Sequence, residues 1–369
     1  MIKVGLLYGG RSGEHEVSLC SAASVFSSLD RGRYEVLAIG IDKDGRWYVQ
    51  NPPEIVNDKD FGKILTIKKT GSWLLNHFED GNTLCLVDMD SGERAVVDVV
   101  FPVLHGTYGE DGTLQGLLEL AMVPYVGADV LGSAVGMDKE FAKRLLKEAG
   151  IPVVPWITVR NADWSANKNA ITQQALNDIG LPLFVKPVCA GSSVGITKVK
   201  DAALLGDAVE TALQYDTRAL IEKSVDCREI ECSVIGNDNP EASVPGEIVP
   251  RHEFYSYEAK YIDPEGAALV IPASLDAVTA ERVRRLAVEG YRALGCSGMA
   301  RVDFFLEKSG SGLYLNEINT IPGFTSISMY PKLWEASGMD YSTLLGRLID
   351  LAFERHMKRK LIKTEMNAT

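Results

Sequence analysis

The sequence predicts an α/β unit followed by α+β structure, divided into three domains. Three observations carry this. A buried apolar strand at 3–8, a Gly-Gly turn with a helix at 16–29, and a strand at 36–41 follow one another. That β-α-β order requires a parallel sheet with right-handed crossovers. Toward the other end, strands at 229–234, 301–306 and 313–319 alternate polar and apolar residues, the pattern of sheets with one buried face. A length of 369 residues accommodates two or three domains.

The elements follow in order. Residues 42–96 form an insertion with turn signals at Asp44-Gly45, Asp80-Gly81 and Ser91-Gly92 and short strands between them. The first sheet resumes at 97–103 and 123–126, and Ser133-Ala134 marks a boundary, so the N-terminal domain is 1–134. The central domain, 135–226, begins with a helix over 138–149. Phe141, Leu145 and Ala149 recur there every four residues, and Gly150 and Pro152 stop it. Strands are expected at 156–159, 183–186, 195–199 and 219–222. The C-terminal domain, 227–369, holds a helix over 280–294 whose apolar face is Val283, Leu286, Ala287, Tyr291 and Leu294. A hairpin and a helix over 341–358 complete it.

Composition excludes several classes. The chain is 46% hydrophobic and 24% charged, as ordinary globular proteins are, and its net charge of -12 argues against a general nucleic-acid binder. Its six cysteines are scattered without zinc-ligand spacing, which fits reduced thiols. The opening apolar run is too short for a signal peptide and no stretch approaches a membrane span. A cytoplasmic protein with neither nucleic-acid nor membrane partners is expected.

The hairpin carries the clearest chemistry. A turn at Lys308–Gly312 centred on Gly310 sets Asp303 opposite Glu317 and Arg301 opposite Asn319, all on one face. Facing carboxylates repel, and oxygen-only donors suit Mg²⁺. The turn Gly9-Gly10-Arg11-Ser12-Gly13 lies between a strand and a helix and offers backbone N–H groups to an anion, but it is not a dinucleotide fingerprint. Glu14 beside it either pairs with an amine-bearing ligand or complements the helix N-terminus. The Gly/Ser loop at 186–195 can cradle phosphate, with Lys186 and Lys139 as candidate cations. Residues 220–225 can form a linker against which a planar base slots, with Glu222 accepting from an exocyclic amine and Glu229 from ribose hydroxyls. The aromatic run 251–261 has the character of a loop that closes over a site, and His105 is a candidate substrate contact.

Taken in order, the segments GGRSGEHEVS (9–18), HGTYGEDG (105–112), KPVCAGSSVG (186–195), YEAKY (257–261), RVDF (301–304) and NEINTIPGFTSIS (316–328) resemble the D-alanine–D-alanine ligase family of the ATP-grasp superfamily. The resemblance implies a three-domain ATP-grasp architecture with ATP between the central and C-terminal domains, D-alanine as substrate, and a homodimer. It implies two Mg²⁺ ions, or Mn²⁺ in their place, on Asp303, Glu317 and Asn319. Nucleotide contacts would come from Lys139, Lys186, Ser193, Glu222, Lys223, Val225, Glu229 and Lys260. Arg301 and the N–H of Gly323 would stabilise the tetrahedral oxyanion. Glu14 would pair with the first ammonium, linked to Ser192 and Tyr261, while Ser328 and Met329 would meet the second substrate. A Tyr at 261 predicts the dipeptide rather than the D-lactate ester. The alternatives are a depsipeptide ligase or another ATP-grasp carboxylate–amine ligase.

Overall fold

The structure, a computed structural model, describes residues 1–76, 83–250, 267–310 and 312–363. The N-terminal part opens with β1 (Ile2–Gly9), α1 (His15–Ser28), β2 (Tyr34–Ile41) and β3 (Trp47–Gln50). The insertion then builds a hairpin, β4 (Ile55–Asp58) with β5 (Gly62–Leu65), and a small sheet of β6 (Trp73–Asn76), β7 (Leu84–Asp88) and β8 (Arg94–Val97). Strand β9 (Val99–Val103) returns to the main sheet, which runs β3-β2-β1-β9 with β1 parallel to both β2 and β9.

The uninterrupted apolar run of β1 reflects cover on both faces. Val4, Leu6 and Tyr8 pack with α1, whereas Leu7 packs with Ile39 in a second cluster. The expected strand at 123–126 reduces to one bridge between Val100 and Tyr125. Pro124 has no N–H to extend the ladder, and only its carbonyl pairs, accepting from the Val100 N–H at 2.9 Å.

Three helices lead onward: α2 (Thr113–Leu120), α3 (Val130–Met137) and α4 (Lys139–Glu148). Helix α3 runs across residue 134. Asp129 and Asp138 cap α3 and α4, accepting from the Gly132 and Phe141 N–H groups. Ala142 and Leu146 of α4 pack into the core of the C-terminal part, with Val283 and Tyr291.

The central part comprises β10 (Trp156–Arg160), α5 (Asn161–Asp178), β11 (Leu183–Pro187), β12 (Thr197–Val199), α6 (Leu205–Ala212) and β13 (Arg218–Lys223), with antiparallel sheet order β10-β13-β11-β12. The C-terminal part comprises β14 (Cys227–Ile235), β15 (Glu241–Ala242), β16 (Gly246–Pro250), β17 (Ala267–Val270), α7 (Ala277–Ala293), β18 (Met299–Glu307), β19 (Leu313–Asn319), α8 (Met329–Ala336) and α9 (Tyr341–Lys360). Its sheet runs β17-β16-β14-β18-β19. Helix α9 then crosses back. Leu344, Leu345, Leu348 and Ile349 enter the same core as Val4, Leu6 and α1. All six cysteines are free.

Candidate active site

Glu14 occupies a slot between two loops. Its Oε2 lies 2.9 Å from where a Cβ on Gly106 would sit and 3.1 Å from one on Gly191. The first glycine belongs to the loop after β9 and the second to the Gly/Ser loop after β11, so loops from two different sheets close on one carboxylate. Ser192 donates to Glu14 Oε1 across this gap. Ser192 and Ser193 both adopt left-handed backbone, with φ of 52° and 60°, a conformation that costs L-residues about 1–2 kcal/mol each. The structure sustains that strain where the loop meets Glu14.

The hairpin places Arg301 opposite Asn319 and Asp303 opposite Glu317, as the sequence predicts. The route differs. From Phe304 onward the register shifts by one, pairing Phe304 with Leu315 and Leu306 with Leu313. A bulge at Asn316 absorbs the extra residue, so Asn316 and Glu317 are both partly exposed between buried Leu315 and Ile318. Arg301 grips Asp303 through two bonds, Nε to Oδ1 and Nη2 to Oδ2, each 2.7 Å. Asn319 Nδ2 donates to Asp303 Oδ2 at 3.0 Å. Glu231 of β14 pairs with the same Arg301 Nε at 3.0 Å. Burial would lower the pKa of Arg301, but Asp303 and Glu231 hold it well above the ordinary value. Among the described residues, no three His, Cys, Asp or Glu side chains gather to hold a metal. The Asp303–Glu317–Asn319 set is two carboxylates and an amide, an all-oxygen donor set that fits a hard divalent ion.

A second charged cluster lies beneath the Gly/Ser loop. Glu222 is 1% exposed and ion-pairs through Oε1 with Lys143 and through Oε2 with Lys186. Burial would raise the Glu222 pKa, but the two ammonium groups lower it to about 2. With one ammonium on each oxygen, its carboxylate orients Lys186, and each oxygen keeps a further lone pair for the exocyclic amine expected there. Lys139 Nζ donates to the Ala190 carbonyl at 2.7 Å, fastening the Gly/Ser loop to α4. Glu317 lies within electrostatic reach of both Lys143 and Arg301, and so joins the two clusters. Lys223 ends β13 and is exposed, Val225 is half-buried in the β13–β14 connection, and Glu229 is half-buried within β14.

His105 is a strut rather than a free contact. Its Nδ1 meets the Ile321 carbonyl and its Nε2 the Ser21 hydroxyl, both at 3.1 Å, and it is 5% exposed. A carbonyl only accepts, so Nδ1 carries the proton. Burial lowers the His105 pKa, keeping the ring neutral. Met329 likewise turns inward, packing with Ile248 and Leu333, so its side chain is structural. Ser328 Oγ accepts from the Thr325 N–H at 2.9 Å. A Cβ on Gly323 would lie 2.7 Å from that Oγ, which explains the glycine. Phe324 packs edge-on against Phe101 and holds this segment to the first sheet.

Lys260 and Tyr261 lie outside the described residues. Sequence reasoning did not single out Lys143, Glu231 or Glu110. The Glu110 carboxylate accepts from the Gly106 N–H at 2.8 Å. Burial, with the charge of Glu14 added, pushes its pKa well above the ordinary value. Glu110 is part of the HGTYGEDG segment, where its signal was available; Lys143 and Glu231 each read as one more charge on an amphipathic element.

Comparison with known proteins bears on all of this. The family described as D-ala D-ala ligase N-terminus matches residues 3–128, and D-ala D-ala ligase C-terminus matches residues 145–350. The chain is 50% identical over 364 residues to a D-alanine--D-alanine ligase of Thermoanaerobacter sp. (strain X514), covering 97% of this chain and 98% of the relative. It is 45% identical over 366 residues to D-alanine--D-alanine ligase A of Salmonella typhimurium, covering 99% of each. Among solved structures, a D-alanine-D-alanine ligase from Coxiella burnetii superposes with a TM-score of 0.81 at 36% identity, covering 98% of each chain. A D-Ala:D-Ser ligase from Enterococcus faecalis gives a TM-score of 0.80 at 36% identity, covering 95% of this chain and 99% of that one. The fold is that of the multi-domain ATP-grasp enzymes. With both halves matched and half of the residues identical along nearly the whole length, this chain belongs to the D-alanine–D-alanine ligase family.

Proposed function

We infer that the chain is an ATP-dependent D-alanine–D-alanine ligase acting in peptidoglycan synthesis. The carboxylate of a first D-alanine attacks the γ-phosphorus of ATP, releasing ADP and forming an acyl phosphate. The amine of a second D-alanine attacks the acyl carbon, and phosphate leaves as D-alanyl-D-alanine forms. The observation that carries this reading is the convergence of Glu14, held between loops of two different sheets, with Arg301 and the Asp303–Glu317–Asn319 hairpin, together with the full-length identity to relatives of that name.

In this reading ATP lies between residues 135–226 and 227–369, with 1–134 supplying Glu14. Lys139, Lys186 and Ser193 serve the phosphates, and Lys223, Val225 and Glu229 serve adenine and ribose, with Lys260 from the loop beyond. Asp303, Glu317 and Asn319 would hold Mg²⁺, or Mn²⁺ in its place, and the bound ions supply positive charge to the phosphates. Glu14 pairs with the ammonium of the first D-alanine. Arg301 and the Gly323 N–H meet the oxyanion of the tetrahedral intermediate, and Ser328 anchors the second carboxylate. Among the described residues no helix is long and apolar enough to cross a membrane; a cytoplasmic homodimer is part of the proposal.

The D-Ala:D-Ser ligase of similar fold supports a second reading of the acceptor alone. The test is phosphate release from ATP and Mg²⁺ with D-alanine, against D-alanine plus D-serine, D-alanine plus D-lactate, and L-alanine, with products weighed by mass spectrometry. D-Alanyl-D-alanine as the dominant product is expected. A dominant mixed product would overturn the acceptor assignment, and no phosphate release in any mixture would overturn the ligase.

A further inference from the structure

Lys143 lies on α4 at 1% exposure and makes no use of its charge except inward. Its ammonium meets Glu222 on one side and lies 5.7 Å from the Trp156 ring centroid on the other. Glu222 in turn meets Lys186, the strand-end lysine that leads into the Gly/Ser loop. Three buried charges thus stand in a row: ammonium, carboxylate, ammonium. A row of that composition carries one net positive charge. If Lys143 were absent, Lys186 would be the sole counter-charge of a buried carboxylate and the row would be neutral. A buried carboxylate left with a single cation binds that cation harder, because its desolvation must then be offset by one partner alone.

We propose that Lys143 is a positioning residue of the nucleotide site: by neutralising Glu222 it leaves the positive charge of Lys186 available to a phosphate group, without touching the nucleotide itself. The inference rests on the reading that Lys186 faces the ATP phosphates. Three features of the geometry favour it over a packing role. Lys143 and Lys186 engage opposite oxygens of the same carboxylate. The Glu222 side chain is fixed on β13, directly across from Phe184 of β11, the strand that carries Lys186. Helix α4 also holds the Gly/Ser loop from its first residue, through the Lys139 bond to Ala190. One helix therefore sets both the shape of the phosphate loop and the charge beneath it.

The test compares a ligand with phosphates and one without. ADP and adenosine are titrated calorimetrically in the same magnesium buffer against wild type, Lys143→Gln and Lys143→Arg. Glutamine keeps a donor for Glu222 but no charge; arginine keeps the charge. Lys143→Gln is expected to weaken ADP about ten-fold, the scale of one charge-assisted contact, and to leave adenosine unchanged. Lys143→Arg is expected to retain ADP. Equal ADP affinity in wild type and Lys143→Gln overturns the proposal, and so does an equal loss of ADP and adenosine, which is what a collapsed pocket would give. Should Lys143→Gln not fold, Lys143→Arg decides: retained ADP supports the charge role, and a folded variant that has lost ADP overturns it. Failure of the wild type to bind ADP would instead remove the ATP reading beneath it.

Discussion

Ser192→Ala isolates the contact between the Gly/Ser loop and Glu14. The hydroxyl donates to a carboxylate that two glycines leave room for, and alanine deletes the donor alone. The backbone there is already left-handed, with φ 52°, and alanine tolerates that about as well as serine, so stability should change by no more than about 0.5 kcal/mol. A hydrogen bond to a charged group is worth about 1.5–3 kcal/mol. Ser192 is half-buried, so the lower end applies: about 1.5 kcal/mol, or roughly ten-fold in kcat/KM. Steady-state phosphate release at varied D-alanine reads this, with thermal unfolding as the control. The loss should fall on the first D-alanine, whose ammonium Glu14 is assigned to hold, with KM for ATP little changed. An unchanged kcat/KM in a folded variant would refute the link between the two loops, and a large drop in melting temperature would show that the hydroxyl serves folding instead.

Other consequences can be measured directly. Gly106→Ala puts a Cβ 2.9 Å from Glu14 Oε2 at a φ of 76°, so chemical unfolding should show a loss of about 1–2 kcal/mol together with impaired D-alanine turnover. The pKa of Glu222 falls from its ordinary 4.5 to about 2 on folding. Its stabilisation is therefore fully present above 4.5 and drains away as pH falls toward 2; urea unfolding of Glu222→Gln should lose that acid limb. Leu345 is fully buried between α9 and the first sheet, and Leu345→Ala should cost about 2–5 kcal/mol in the same assay. Tyr261→Phe should shift preference from D-alanine toward D-lactate, read as the ratio of dipeptide to ester; an unchanged ratio would dismiss the role given to that hydroxyl.

Much of the fold was legible because its elements follow simple periods. The buried runs of β1 and β2 and the amphipathic face of α7 announced themselves, and α7 (Ala277–Ala293) begins only three residues before the expected start. Helix α5 did not. Asn161–Asp178 is largely polar, buries only Trp164 and Ala175, and departs from helical geometry at Asn167, so no apolar stripe marks it. In the hairpin, the alternation gave the right partners for Arg301 and Asp303 although a uniform ladder from the observed turn would have paired Asp303 with Asn316. The bulge that corrects this has no signature beyond two adjacent polar residues. The motif loops were legible as backbone turns rich in glycine and serine. They did not show that Glu222 and His105 would engage groups within the protein, since that depends on partners far away in the chain: Lys143 from α4, and Ile321 beyond the hairpin.

Helix α9 has a bearing on how the chain is made. The first sheet is completed by residues 344–352, more than three hundred positions after β1. During synthesis β1 and β2 therefore cannot seal one face until α9 leaves the ribosome, and they must wait with apolar surface open. The sheet that precedes Glu14 is then translated long before it is covered. A polypeptide truncated before α9 would lack the cover of the β1–β2 sheet, so the loss would be felt three hundred positions away from the cut.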